Sequence, residues 1–277
     1  MMKKVLALSC ALLLTAGSAW AGQRDMIASC YGMLKIDAPK SALQREIFVV
    51  VDQTAPVDEQ QQRTLVNDVL SKFVSETAVT VLTFSAFIGG HYADMPFSGV
   101  LDRLPTQDER DNIPKVKLKQ LDQCLQAQAQ YAQSKVAEAM MAGFSKPTDA
   151  IDRSDIISTL KDISGNVVKA SPATRRDVLL ISDMLENSTI SSFYSKNAVK
   201  LIDPKAELDK VGGFGDFGGA NVYVAGAGSI ITAGKKQVET YRDPKTMDAL
   251  ERFWREFFAR SNANLAAFGK PSLMGAF

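Results

Sequence analysis

No stretch constrains this chain more than Glu46-Ile47-Phe48-Val49-Val50-Val51-Asp52-Gln53-Thr54-Ala55-Pro56. A continuous apolar run without alternation is a strand buried on both faces, which in turn requires a sheet covered by helices on either side. Proline fixes φ and suits the first turn of a helix, so the spacing predicts a helix opening at Pro56. Asp52 and Thr54 then sit on a strand-to-helix turn at the carboxyl end of the sheet, where open α/β folds place their ligands.

The rest of the chain repeats this grammar. Leu65, Val66, Val69, Leu70 and Phe73 fall at helical spacing after Pro56, and Ala78 to Phe84 is rich in β-branched residues that favour a strand. From His91 to Pro114 the periodicity breaks around Pro96, Pro105 and Pro114, with room for an edge strand near Phe97 to Leu101. Val116 to Ala142 reads as one long helix with a narrow apolar stripe and a glutamine-rich remainder. Ser154 is placed to cap a helix carrying Ile156, Ile157, Leu160 and Ile163, ended near Gly165 and Pro172. Asp177-Val178-Leu179-Leu180-Ile181-Ser182-Asp183 is a second apolar strand tipped by an acid. A strand at Asn221 to Gly226, a helix from Pro244 with a wide aromatic face, and a final strand at Asn264 to Phe268 complete the order. Strands alternating with helices predict an α/β, Rossmann-like fold with a mostly parallel central sheet, helices on both faces and a long helical insertion at about 91–146.

Residues 1–21 read as a secretory signal. Lys3 and Lys4 precede an apolar run from Val5 to Ala16, and Ala19-Trp20-Ala21 offers small residues at the cleavage positions. The run is shorter than the roughly 20 residues a membrane span needs. Cleavage after Ala21 leaves a lead segment over 22–45, a domain over 46–277, and a periplasmic or secreted protein without an integral membrane segment. Loss of Lys3 and Lys4 takes 32 basic residues to 30 against 31 acids, a balance with no electrostatic footprint for nucleic acid. Of 3 cysteines Cys10 leaves with the signal, and in an oxidising compartment Cys30 and Cys124 are most simply a disulfide.

Signatures of enzymes are sparse. There is no G-x-S-x-G, no G-x-x-x-x-G-K and no H-E-x-x-H, and the single histidine, His91, falls in a glycine-rich stretch. Residues 213–218 match G-x-G-x-x-G in letters, but they precede a strand instead of following one, and read as a loop.

The acid-tipped strand with Asp52-Gln53-Thr54, the helix opening at Ser154-Asp155-Ile156, and the strand ending at Asp183 together resemble the three motifs of the von Willebrand factor A family. That resemblance implies a divalent cation, Mg²⁺ or alternatively Mn²⁺ or Ca²⁺, held by Asp52, Thr54, Ser154 and Asp183, with a partner's carboxylate completing the shell. Mg²⁺ is a hard cation that takes oxygen ligands, in keeping with such a set. The sequence departs from the pattern at Pro56, where the family carries a second hydroxyl. Without a cation, Asp52 would cap the helix expected from Pro56. The function expected from these features is a non-enzymatic binding or scaffold module engaging another envelope protein. The alternative is a metal-dependent phosphoester hydrolase using Asp52 and Asp183.

Overall fold

The computed structural model describes residues 25–88, 91–144, 154–195, 198–231, 238–240, 243–269, 272–273 and 277. In chain order its elements are α1 (Cys30–Leu34), β1 (Arg45–Asp52), α2 (Glu59–Lys72), β2 (Thr77–Ile88), β3 (His91–Val100), α3 (Gln107–Asp111), α4 (Lys115–Phe144) and α5 (Ile156–Ile163). There follow β4 (Arg175–Ile181), β5 (Tyr194–Ser195), β6 (Ala198–Val199), α6 (Pro204–Leu208), β7 (Ala220–Ala225), β8 (Ser229–Ile231), β9 (Val238–Thr240), α7 (Pro244–Arg260) and β10 (Ala263–Phe268).

Six strands form the central sheet in the order β10-β7-β4-β1-β2-β3. Every neighbouring pair is parallel except β2 with β3. The chain lays strands outward from β1 to one edge, then returns to β4 and builds to the other, so the order reverses between β1 and β4. A crevice opens outside the carboxyl ends of the strands at such a point.

Burial follows from the pleat. Phe48 and Val50 point into one cluster with Val178, Leu180, Val222 and Val224, covered by Ile156 and Leu160 of α5 and Phe253, Trp254, Phe257 and Phe258 of α7. Ile47, Val49 and Val51 point the other way with Leu179 and Ile181, covered by Leu65, Val66 and Val69 of α2 and Ala132, Val136 and Met140 of α4. Successive strand residues therefore reach opposite helix layers, which is why the sequence shows no polar alternation. At Gly143, near the end of α4, a Cβ would lie 3.1 Å from Thr83 and 3.3 Å from Val51, so the missing side chain lets this helix settle against β1 and β2.

The expected bridge between Cys30 and Cys124 is formed, with Cα atoms 5.7 Å apart and a sequence separation of 94. It ties α1 to α4 over a small cluster with Tyr31, Leu121 and Leu125. Asp102 reinforces the tie, accepting from the Cys30 amide at 2.6 Å and from the Gln128 amide group at 3.0 Å.

Several local expectations are corrected. The helix after β1 begins at Glu59, and its N-cap is Asp58, whose carboxylate accepts the Gln61 amide at 2.8 Å. Asp52 therefore does not cap it, and Pro56 lies in the preceding turn. The edge strand expected near Phe97 to Leu101 is present but starts earlier, at His91, so His91–Val100 belongs to the sheet and not to an irregular stretch or a helical insertion. Pro96 is tolerated there because an edge strand can spare an amide. Helix α5 does not end at Gly165 but runs on through a π-helical turn, Ser164–Val168. The expected signal, residues 1–21, lies outside the described residues.

Candidate functional site

At the carboxyl end of β1 the side chain of Asp52 turns inward and is 1% exposed. One carboxylate oxygen accepts the Thr54 amide at 2.9 Å and the Thr54 hydroxyl at 2.6 Å. The other accepts the Ser182 hydroxyl at 2.8 Å and the Ser154 hydroxyl at 3.3 Å. Three loops, following β1, preceding α5 and following β4, thus meet on one carboxylate. Of the residues expected from sequence, Thr54 and Ser154 are brought directly onto Asp52.

Asp183 is also buried at the same edge, but its hydrogen bonds run elsewhere. It accepts the Leu185 amide at 2.9 Å and the Tyr194 hydroxyl at 3.0 Å. Its link to Asp52 is electrostatic. Burial first, and the Asp52 charge second, push the Asp183 carboxyl up to about 8. Burial also raises Asp52, against the stabilising hydrogen bonds from Thr54, Ser182 and Ser154. No cationic side chain among the described residues offsets either charge. The Tyr194 phenol is raised in turn, by burial and then by the neighbouring Asp183.

Three residues at this edge escaped the sequence reading. Ser182 donates to Asp52 and accepts the Met184 amide at 3.0 Å, so it shapes the turn as well as the site. Met184 itself adopts φ 61°, a left-handed backbone uncommon for a side-chain-bearing residue, and is locked by the Trp254 indole donating to its carbonyl at 2.9 Å. Glu186 is fully buried and accepts the Ile157 amide at 2.9 Å, capping α5 across 29 residues of sequence. Burial pushes its carboxyl up to about 7. Ser154, expected as the cap of α5, is spent on Asp52; Asp155 occupies the N-cap position without a side-chain cap bond. The signal that could have found Ser182 was its position one residue before an acid on a buried strand. Glu186 carried the signal of an acid embedded in an otherwise apolar and hydroxyl-rich stretch.

A glycine closes the site on its far side. Gly226, following β7, has φ 98°, and a Cβ there would sit 3.2 Å from the Ser182 carbonyl oxygen. Only glycine combines that backbone with so close an approach.

Chemically, the edge presents a carboxylate ringed by hydroxyls beside a second carboxylate, with no compensating positive charge. A hydroxyl has one proton and two lone pairs, so Thr54, Ser154 and Ser182 can each donate to Asp52 and still offer oxygen to a hard cation. Pro56 contributes no oxygen. Among the described residues no group of three or more His, Cys, Asp or Glu side chains is arranged to hold a metal. Such a cation would rest on hydroxyls and at most two acids. The donor chemistry fits Mg²⁺ in kind.

No family model and no curated protein matches this chain. Among solved structures it is similar to an aerotolerance-related membrane protein from Bacteroides fragilis NCTC 9343 with multiple mutations to serines, at 14% identity and a TM-score of 0.32, over 81% of this chain and 90% of that one. A likeness at that level assigns this chain neither a family nor a function.

Proposed function

We propose that this protein is a binding or scaffold module of the von Willebrand factor A type, acting outside the cytoplasm through the carboxyl edge of its sheet. The observation that carries the proposal is the convergence of Thr54, Ser154 and Ser182 on the buried carboxylate of Asp52 at the point where strand order reverses. The resemblance in sequence points to the same three loops, through Thr54, Ser154 and Asp183. In this reading Asp52, Thr54, Ser154 and Asp183, joined by Ser182, hold a divalent cation whose exchangeable waters give way to a carboxylate on another envelope protein. The disulfide supports an oxidising compartment.

Metal-dependent phosphoester hydrolysis by Asp52 and Asp183 is the second reading, drawn from the burial of both carboxylates at the same sheet edge. Isothermal calorimetry with Mg²⁺, Mn²⁺ and Ca²⁺ tests the proposal. Heat of binding in the wild type that disappears in Asp52→Asn is expected. Absence of heat with all three at millimolar concentration would remove the cation. Cation-dependent turnover of p-nitrophenyl phosphate, lost in Asp52→Asn, would put the hydrolase in its place.

A further inference from the structure

A concave cavity of about 300 Å³ lies on the α2 side of the sheet, beside the carboxyl ends of β4 and β7. Its floor includes Ile181 and Ala225, both buried, and Leu273 stands on its far wall. The near wall is the flank of α2, where Asp58, Gln61, Leu65 and Asp68 recur at spacings of three and four and so share one stripe of the helix. Among the described residues, the charged ones lining this groove are Asp58 and Asp68, both acids. Neither carboxylate enters an ion pair among the described residues: that of Asp58 accepts the Gln61 amide at 2.8 Å, and the nearby Lys72 ammonium donates to the backbone carbonyl of Asp68 at 3.4 Å.

The spacing of these acids defines a ruler. They are ten positions apart, and at about 1.5 Å of rise per residue they stand about 15 Å apart along the helix. In an extended peptide, side chains at positions i, i+2 and i+4 share one face, and i to i+4 spans about 13 Å. Long basic side chains close the small difference. We infer that the groove is a docking site for an extended segment of a protein partner with a basic residue, an apolar residue and a second basic residue at alternate positions. The two cations meet Asp68 and Asp58, and the central apolar side chain enters over Ile181 and Ala225. This inference rests on the binding-module reading above but not on the cation, since Asp68 is remote in sequence from every residue of the Asp52 site.

The test is fluorescence anisotropy with end-capped, labelled pentapeptides on the intact disulfide-bonded protein. The sequence Lys-Thr-Leu-Thr-Lys is expected to bind saturably and more weakly as salt is raised. Glu-Thr-Leu-Thr-Glu and Lys-Thr-Asp-Thr-Lys are expected not to bind. Asp68→Lys, a change at a half-buried helix position that leaves the Asp58 cap intact, should weaken binding at least about tenfold, or ~1.4 kcal/mol. The heat of Mg²⁺ binding should be the same in Asp68→Lys as in the wild type, so loss of one property without the other separates the groove from the Asp52 site. No saturation by the first peptide at millimolar concentration would overturn the inference. So would equal binding by Asp68→Lys, or equal binding of the peptide with a central aspartate, which would reduce the effect to bulk charge.

Discussion

Asp52 illustrates how one buried side chain can be held by its neighbours and still be short of compensation. Four donors satisfy its oxygens, yet no positive charge balances it or Asp183. Asp52→Ala strips the acceptor from all four donors and should cost about 2–4 kcal/mol in urea unfolding, since each buried donor left unpaired costs on the order of 1–3 kcal/mol less what relaxation and relief of the buried charge recover. Asp52→Asn, which keeps an acceptor, should cost less. Asp183 carries the pH dependence. Its carboxyl is raised from 3.8 to about 8, so the native state holds a proton that the unfolded chain releases. In the metal-free protein the contribution of this group is fully present below about pH 4 and is lost as pH rises toward 8. Melting temperature followed from pH 5 to pH 8 in chelator should therefore fall, and Asp183→Asn should flatten that decline. The side chains of this site were partly legible: Asp52 and Thr54 lie two residues apart on a strand-ending turn, and Ser154 and Asp183 open and close recognisable elements. Ser182, Tyr194 and Glu186 were not, because their roles depend on where the loop after β4 turns back, and no local pattern encodes that path.

At the scale of elements, the apolar runs of β1 and β4 and the aromatic stripe of α7 were readable because buried strands and amphipathic helices leave periodic marks. Boundaries were harder where two signals competed. Pro56 suggested a helix start, but Asp58 followed three residues later by Gln61 is the stronger capping pattern, and it decides where α2 begins. Pro96 suggested a loop, yet edge position made it compatible with β3. Helix α5 depends on a cap supplied from afar. Glu186→Ala should loosen its first turn and cost about 0.5–2 kcal/mol, the usual range for a lost cap, with faster amide exchange at Ile157. Glu186→Gln keeps the acceptor for Ile157 without the buried charge, and should match or exceed the wild type at pH 8. The bridge between α1 and α4 works at the same scale. Replacing Cys30 and Cys124 together by serine should cost about 2–4 kcal/mol, while leaving the Asp52 site intact as judged by Mg²⁺ calorimetry.

For the whole molecule, the decisive fact is that the sheet reverses its strand order between β1 and β4, and the two acid-tipped strands are the ones on either side of the reversal. Two helix layers fix both strands, so the loops that follow them are delivered to the same place whether or not anything is bound there. The result is a cradle of two buried acids whose negative charge, once Asp183 gives up its proton, a divalent cation would neutralise. A ligand that binds only the folded protein stabilises it by RT ln(1 + [L]/Kd), about 2.7 kcal/mol at a hundredfold excess over Kd. Thermal melting at pH 8, where Asp183 is losing its proton, is the most direct measurement. Adding Mg²⁺ from micromolar to 10 mM should raise the melting temperature progressively in the wild type and leave Asp52→Asn unchanged. Wild-type curves that superimpose across the whole Mg²⁺ range, or an identical rise in Asp52→Asn, would contradict a cation site at this edge.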